Sequence, residues 1–205
     1  GVLCEVLVDG HFGYAATADL SPAGLQRAFD QAIATTRAMA PYKVHAFTEA
    51  QRAAVQGAYT SPAHTRLAHT PLAQVTQCLL AASRSMAVGD KIVNRSARAV
   101  LVQTQIDYYA TNGTHTTQQF DMVDITVAAT AAEGVQSQTR SWSHTGQFGG
   151  EVFDEAQFAS QGQRVATEAL ELLAAPNCPT GTLDQILMPD QMMRQIHESI
   201  GHPLE

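Results

Sequence analysis

The hydrophobic pattern of the first forty residues changes once, from short apolar stretches typical of strands to the spacing of a helix. A short apolar stretch, residues 2–8, is followed by Asp9-Gly10 and then by a second short stretch around Tyr14. Aspartate-glycine between two such stretches is typical of a β-hairpin. Ser21-Pro22 then forms an N-cap and first helical residue, and apolar residues continue at helical spacing to Met39. The pattern predicts a hairpin followed by a helix with one buried face.

Residues 41–71 lack a clean period and contain three prolines. We interpret this stretch as a long irregular connection with one strand or short helix. Thr70-Pro71 then opens a second helix, whose apolar stripe ends near Gly89.

From residue 91 to 145 the pattern favours β-strands. Apolar and threonine-rich runs, separated by turn residues, suggest an antiparallel meander. Asn112-Gly113 is the strongest turn signal, because both residues tolerate the positive φ angles of a type I′ turn. The alternating Thr, Gln and Ser residues fit a surface for an extended peptide, but a solvent-facing sheet face explains them better.

The last third returns to helices. Residues 146–150 form a break, and a long helix runs from about Asp154 to Ala175. We expect a short strand over residues 183–188, then a helix over 191–202 capped by Asp190, with its apolar residues packed against the sheet (Met192, Ile196 and Ile200). The predicted fold class is α+β, a largely antiparallel sheet with packed helices and a C-terminal motif helix, in a single domain over residues 1–205.

Composition is that of a globular chain. The 205 residues are 45% apolar and 15% charged, enough to bury a substantial core, and the formal net charge is −7. An acidic chain without a basic stripe argues against direct nucleic-acid binding. There is no apolar run of about 18 residues, so we expect no membrane association.

The cysteine content indicates a reducing compartment. Cys4, Cys78 and Cys178 are odd in number and widely spaced, which is a poor disulfide framework. We therefore expect a cytoplasmic protein.

The strongest chemical signal is the segment His197-Glu198-Ser199-Ile200-Gly201-His202. Neutral imidazoles are zinc ligands, and a neighbouring unligated glutamate suits the general base of a hydrolase. A separation of five residues, however, places the two imidazoles about 140° apart on a regular α-helix. We therefore predict a one-residue π-bulge, eased by Gly201, and a helix end before Pro203.

This pattern, with the trailing Leu204-Glu205, resembles the TldD branch of the TldD/PmbA family, once described as modulators of DNA gyrase and now regarded as metalloproteases. Residues 1–19 and the alanine-rich helix after them also resemble the first half of that family's amino-terminal domain. The resemblance implies that His197 and His202 bind Zn²⁺ and that Glu198 is the general base of peptide-bond hydrolysis. It also implies a peptide or unfolded-protein substrate and a homo- or hetero-oligomer with a PmbA-like subunit.

The resemblance leaves parts of the site unmatched. The family's third zinc ligand is a cysteine in a later carboxy-terminal domain, and no position here matches it. Cys178 is a conceivable substitute, although an incidental thiol is the commoner outcome. Pro203 stands where many relatives carry glycine. We expect the chain to be a piece of a larger protein, without a leading segment and the carboxy-terminal domain.

Two function classes remain open. The first is the zinc hydrolase, and the second is a non-catalytic partner-binding or gyrase-modulating module with a vestigial motif. The remaining histidines, which show no mutual spacing typical of a metal site, are interpreted as surface or structural residues, with His144 beside Trp142 the one to inspect first: His11, His45, His64, His69, His115 and His144.

Overall fold

The structure is a computed structural model that describes residues 1–42 and 44–204. It confirms a mixed α+β fold with antiparallel sheets, packed helices and a C-terminal helix. The strands and helices of the described residues are β1 (Val2–Val8), β2 (His11–Thr17), α1 (Pro22–Met39), β3 (Gln56–Thr60), α2 (Leu72–Ser85), β4 (Ile92–Tyr109), β5 (His115–Glu133), β6 (Gln136–Gly146), α3 (Glu155–Ala174) and α4 (Pro189–Ile196). None of these helices is both long and apolar enough to cross a bilayer.

The β1–β2 hairpin forms as predicted, and α1 packs against it. Asp9 and Gly10 have φ angles of 51° and 80°, which is the conformation of a type I′ turn. Ser21 caps α1 by accepting a hydrogen bond from the Gly24 amide at 3.1 Å. The hairpin and α1 therefore form a small layer of their own.

The second layer is a four-stranded sheet built around β5. The long strand β4 pairs antiparallel with β5 along almost its whole length. On the other side of β5, β3 pairs in parallel with its first five residues and β6 pairs antiparallel with residues 123–133. The predicted meander is thus β4, β5 and β6, and β3 is the single strand anticipated within residues 41–71.

The main core lies between this sheet and helices α2 and α3. Odd-numbered residues of β5 are buried in sequence, from Val123 through Ile125 and Val127. The helices contribute Cys78, Phe158 and other fully buried side chains to the same cluster. Strict alternation on β5 therefore gives the sheet one helix-covered face and one open face.

A buried ion pair attaches the irregular segment before α2 to the sheet. The Asp121 side chain is completely buried, and its Oδ2 atom lies 3.0 Å from Arg66 Nε. The same oxygen accepts the Leu67 amide at 3.0 Å, and Oδ1 accepts Gln103 Nε2 at 3.0 Å. The irregular connection is thereby fixed in place by a single carboxylate of the central strand.

The turn predicted at Asn112-Gly113 was assigned the wrong type. The connection spans residues 110–114, and only Gly113 has a positive φ, at 93°. The Gly113 amide donates to the Ala110 carbonyl at 3.1 Å, and the Asn112 side chain accepts the Thr114 amide at 3.0 Å. The asparagine serves as a hydrogen-bonding group within a five-residue loop, so it does not need a left-handed conformation.

The predictions for residues 183–190 were also wrong. Residues 183–188 form no strand, and α4 begins at Pro189 with Met188, not Asp190, at the N-cap position. Proline is well suited to this first helical position because its missing N–H would be unpaired there anyway. Nor does the motif helix bury its apolar face against the sheet, since its apolar side chains are all at least two-fifths exposed, namely Met192, Ile196 and Ile200.

Candidate metal centre

Helix α4 continues into a π-helical turn over His197–Gly201, which is where the spacing of the two histidines requires a distortion. The His202 amide donates to the His197 carbonyl, so the hydrogen bond closes over five residues. A short 3₁₀ turn, His202–Leu204, follows and contains Pro203. The predicted bulge is confirmed. Glu205, the last residue of the matching pattern, lies outside the described residues.

The wider turn brings both imidazoles to one side of the helix. The ring centroids of His197 and His202 are 4.4 Å apart with an interplanar angle of 63°. His202 Nε2 lies 3.9 Å from Glu198 Oε2. One ligand atom from each of the three residues falls within 4.8 Å of the others. A regular α-helix would have directed the rings to different sides.

The donor set fits a metal ion of the zinc type. Two imidazole nitrogens and one carboxylate are ligands that zinc accepts, and the three groups are close enough to converge on one ion. The cluster can therefore hold a metal ion, although its donors are also compatible with other divalent metals. The site is open, because the side chains of His202 and Glu198 are 52% and 68% exposed.

The π-turn does not depend on the conformational freedom of Gly201, contrary to the expectation from the sequence. It does not have a positive φ. A Cβ atom added there would meet His197 Nδ1 at 3.5 Å, which is ordinary van der Waals contact. The turn is stabilised by its own backbone hydrogen bond, and the position would accept an alanine.

Cys178 is not part of the cluster. Its thiol is exposed, and the contact recorded for Sγ is with the neighbouring Pro179 carbonyl at 3.7 Å. Within the described residues, His197, Glu198 and His202 form the one group of three or more potential metal ligands close enough to share an ion. All three cysteines are free thiols.

The histidine singled out beside Trp142 belongs to an aromatic stack. His144 lies 4.5 Å from the Phe148 ring and 5.9 Å from the Trp142 ring, and both contacts are nearly parallel. His115 stacks on Tyr109 in the same way at 4.3 Å. These contacts support the structural interpretation of both residues.

The sequence analysis missed one feature next to the cluster. An open apolar groove runs along the helix just before His197, lined by Leu187, Pro189, Met192, Met193 and Ile196. The sequence does show methionine and isoleucine at helical spacing in this segment, but the same spacing is expected for a helix face that is buried in the core. Only the structure shows that this face is uncovered.

Comparison with known proteins gives a match in fold but none to a protein-family model or a curated protein. The fold is similar to a crystal structure from Bacteroides thetaiotaomicron of a proposed modulator of DNA gyrase. The two share 16% identity with a TM-score of 0.59, over 81% of this chain and 38% of that chain. The chain thus spans well under half of the protein it resembles, and the likeness establishes the fold.

Proposed function

We propose that this chain is the amino-terminal α+β domain of a TldD-like zinc-dependent peptide hydrolase, with residues 1–205 as one domain of a larger protein. The observation that carries the proposal is the π-turn over His197–Gly201. This uncommon backbone brings the two imidazole rings to a centroid distance of 4.4 Å, and such turns gather at functional sites. The fold similarity to a proposed gyrase modulator supports the same family.

Each residue of the cluster has a distinct proposed role. His197 and His202 bind the metal through neutral ring nitrogens. A zinc ion held there would supply a Lewis acid that polarises the scissile carbonyl and lowers the pKa of water at the site to about 7. Glu198 lies close enough to be a third ligand, but we assign it the role of general base, in which it would accept a proton from the attacking water and pass it to the leaving amine.

The exposed position of the cluster is consistent with a shared site. The two imidazoles need at least one further protein ligand, which we propose is supplied from outside this chain. Peptides or unfolded segments are the proposed substrates, reached within a homo- or hetero-oligomer that includes a PmbA-like subunit. Free thiols throughout fit a cytoplasmic location.

Zinc titration by calorimetry tests the assignment of roles. His197→Ala or His202→Ala should weaken zinc binding by about 100-fold or more, beyond the 10–100-fold that changes around the ligands cost. Glu198→Gln should retain the wild-type affinity, because a general base is not a ligand. His115→Ala, a histidine in an aromatic stack, is the matched control and should have no effect.

Two results would contradict the proposal. Loss of zinc in Glu198→Gln would make the glutamate a ligand and remove the general base. Zinc binding that is the same in wild type and in both histidine variants would favour the alternative, a non-catalytic partner-binding or gyrase-modulating module. The uncovered apolar groove along α4 is the observation that favours this second function.

A further inference from the structure

The strand β4 is a long sheet edge. It pairs with β5 on one side, and within the described residues no strand pairs with its other side. The strand has 18 residues and contains no proline. Its one irregularity is near its start, at Ile92 and Asn94. A long regular edge of this kind presents a row of free backbone donors and acceptors that favours pairing with another strand.

The sequence of β4 is complementary to itself in one antiparallel register. A two-fold axis perpendicular to the sheet keeps each residue on its own face, so the axis must pass beside a residue. The middle of the strand is Val100 and Leu101, and these two positions give the greatest overlap. With the axis at Leu101, Arg95 lies six residues before it and Asp107 six residues after it.

That register places opposite charges in contact twice. Arg95 of each copy lies opposite Asp107 of the other, and both belong to the same face of the strand. With the axis at Val100, Arg95 would instead face Gln105, and Asp107 would face Val93. Opposite charges directly across two strands are stabilising. The charges therefore select the register at Leu101.

We propose that β4 pairs antiparallel with β4 of a second copy of this chain, with the two-fold axis at Leu101, to form a continuous sheet across a homodimer. This proposal concerns a surface remote from the His197–His202 segment in sequence and does not depend on metal chemistry. The exposed edge of β4 is the proposed interface of this self-association.

The open face of the sheet supports the same occupant. Val100, Val102, Ile106 and Tyr108 lie on this face and are 38% to 48% exposed. In the proposed register, Val100 of one copy lies opposite Val102 of the other. Two half-covered apolar patches would thus join across the axis and cover each other's flanks.

Arg95 and Asp107 cannot pair with each other within one copy. Arg95 and Asp107 are 12 residues apart on one extended strand, which is about 40 Å. Arg95 donates to the Ser83 carbonyl at 3.3 Å, and Asp107 accepts from Thr117 and Gln105 at 2.8 and 2.9 Å. Both side chains are exposed and retain free hydrogen-bonding capacity.

Charge reversal measured by sedimentation equilibrium tests the interface. The 205-residue chain should form a species of twice 21.9 kDa. Arg95→Glu and Asp107→Arg should each raise the dimer dissociation constant about tenfold or more, because each places like charges together at both ends. The double variant should return to within about threefold of wild type, because it restores both pairs.

A matched control separates local pairing from net charge. Arg37→Glu changes the net charge as Arg95→Glu does but lies in the last turn of α1, so it should leave the dissociation constant unchanged. A monomeric wild type would overturn the proposal. So would a dimer that is insensitive to the reversals, or a double variant that is no tighter than the single ones.

Cysteine cross-linking tests the register independently. In a Cys178→Ser background, Ser96→Cys and Ile106→Cys chains should cross-link when mixed, because these positions are opposite each other about Leu101. Ser96→Cys mixed with Val102→Cys is the mismatched control, four residues or about 13 Å out of register. Equal cross-linking of the two mixtures would overturn the register, and the buried Cys4 and Cys78 should remain unmodified.

Discussion

At the scale of single residues, Asp121 makes several polar contacts in the interior. Its carboxylate is fully buried and accepts hydrogen bonds from the Leu67 amide and Gln103 while it pairs with Arg66. Arg66 Nη1 is buried without a hydrogen-bond partner in the described residues, so its charge depends heavily on this carboxylate. Removing the negative charge would leave a largely buried guanidinium uncompensated.

We therefore predict that Asp121→Asn lowers the free energy of unfolding by about 3 kcal/mol, as expected when one partner of a buried ion pair is removed. Urea denaturation would measure the change. Asp124→Asn is the matched control on the same strand, since Asp124 pairs with an exposed Arg98, and its cost should stay below about 1 kcal/mol. Equal costs for the two variants would show that the buried pair is not important for stability.

At the scale of elements, the contact between α2 and α3 depends on a glycine. A Cβ atom at Gly162 of α3 would lie 2.3 Å from Ser85 Oγ and 2.5 Å from the Ala82 carbonyl oxygen of α2. Both helices would have to separate to admit it. The glycine thus permits a close approach of the two backbones over the main core.

Gly162→Ala should accordingly destabilise the fold by about 2 kcal/mol, the usual cost of overpacking, despite the better helix propensity of alanine. The free energy of unfolding from urea titration is the measurement. Gly89→Ala serves as the control, because a Cβ there meets no atom within 4 Å, and its effect should be within about 0.5 kcal/mol. A neutral Gly162→Ala would mean that the helices can shift freely.

The contact between β6 and α3 contains a titrating group. Partial burial would raise the pKa of Glu168, but hydrogen bonds and charge interactions with Arg164 and Arg140 outweigh it and hold this pKa below its ordinary value of 4.5. Arg140 Nη2 and Arg164 Nη1 lie 2.9 and 2.7 Å from the carboxylate. Because the pKa is lower in the folded state, Glu168 contributes stability above the ordinary value, and this contribution is lost as the pH falls through the folded value.

We predict that the difference in unfolding free energy between wild type and Glu168→Gln is constant near neutral pH and shrinks as the pH falls below 4.5. Unfolding curves at a series of pH values would show it. In an Arg140→Gln/Arg164→Gln background the difference should depend little on pH. A difference that grows on acidification would contradict the assigned direction.

At the scale of the whole molecule, the metal cluster and the folded core are separate. The core lies between the sheet and helices α2 and α3, whereas α4 and the π-turn are exposed and contribute no residue to it. The cluster offers two imidazoles and a carboxylate in an open setting. Such a site lacks the ligand number and the water exclusion of a working zinc hydrolase.

We expect the 205-residue chain by itself to show little peptidase activity, even with added zinc. A fluorogenic peptide assay that compares wild type with Glu198→Gln is the measurement, and the two should be indistinguishable. Efficient cleavage by the isolated chain that Glu198→Gln abolishes would show that the chain holds a complete site.

The sequence by itself determined the features that depend on neighbouring residues. Hydrophobic periods of two and 3.6 identified β1, α1 and α3, because burial of one face requires them. The turn at Asp9-Gly10 and the N-cap at Ser21 were also predictable, because each depends on contacts within about four residues along the chain. The π-turn was also predictable, because two histidines five residues apart can meet only if the helix widens there.

Only the tertiary structure decided which surfaces are covered. The apolar spacing of α4 is the same for a buried helix and an exposed one, so the sequence could not show that Met192 and Ile196 face outward. The parallel pairing of β3 with β5 joins residues 59 positions apart, and the ion pair of Asp121 with Arg66 joins residues 55 positions apart. Such contacts depend on the balance of desolvation and packing over the whole chain, which no local pattern encodes.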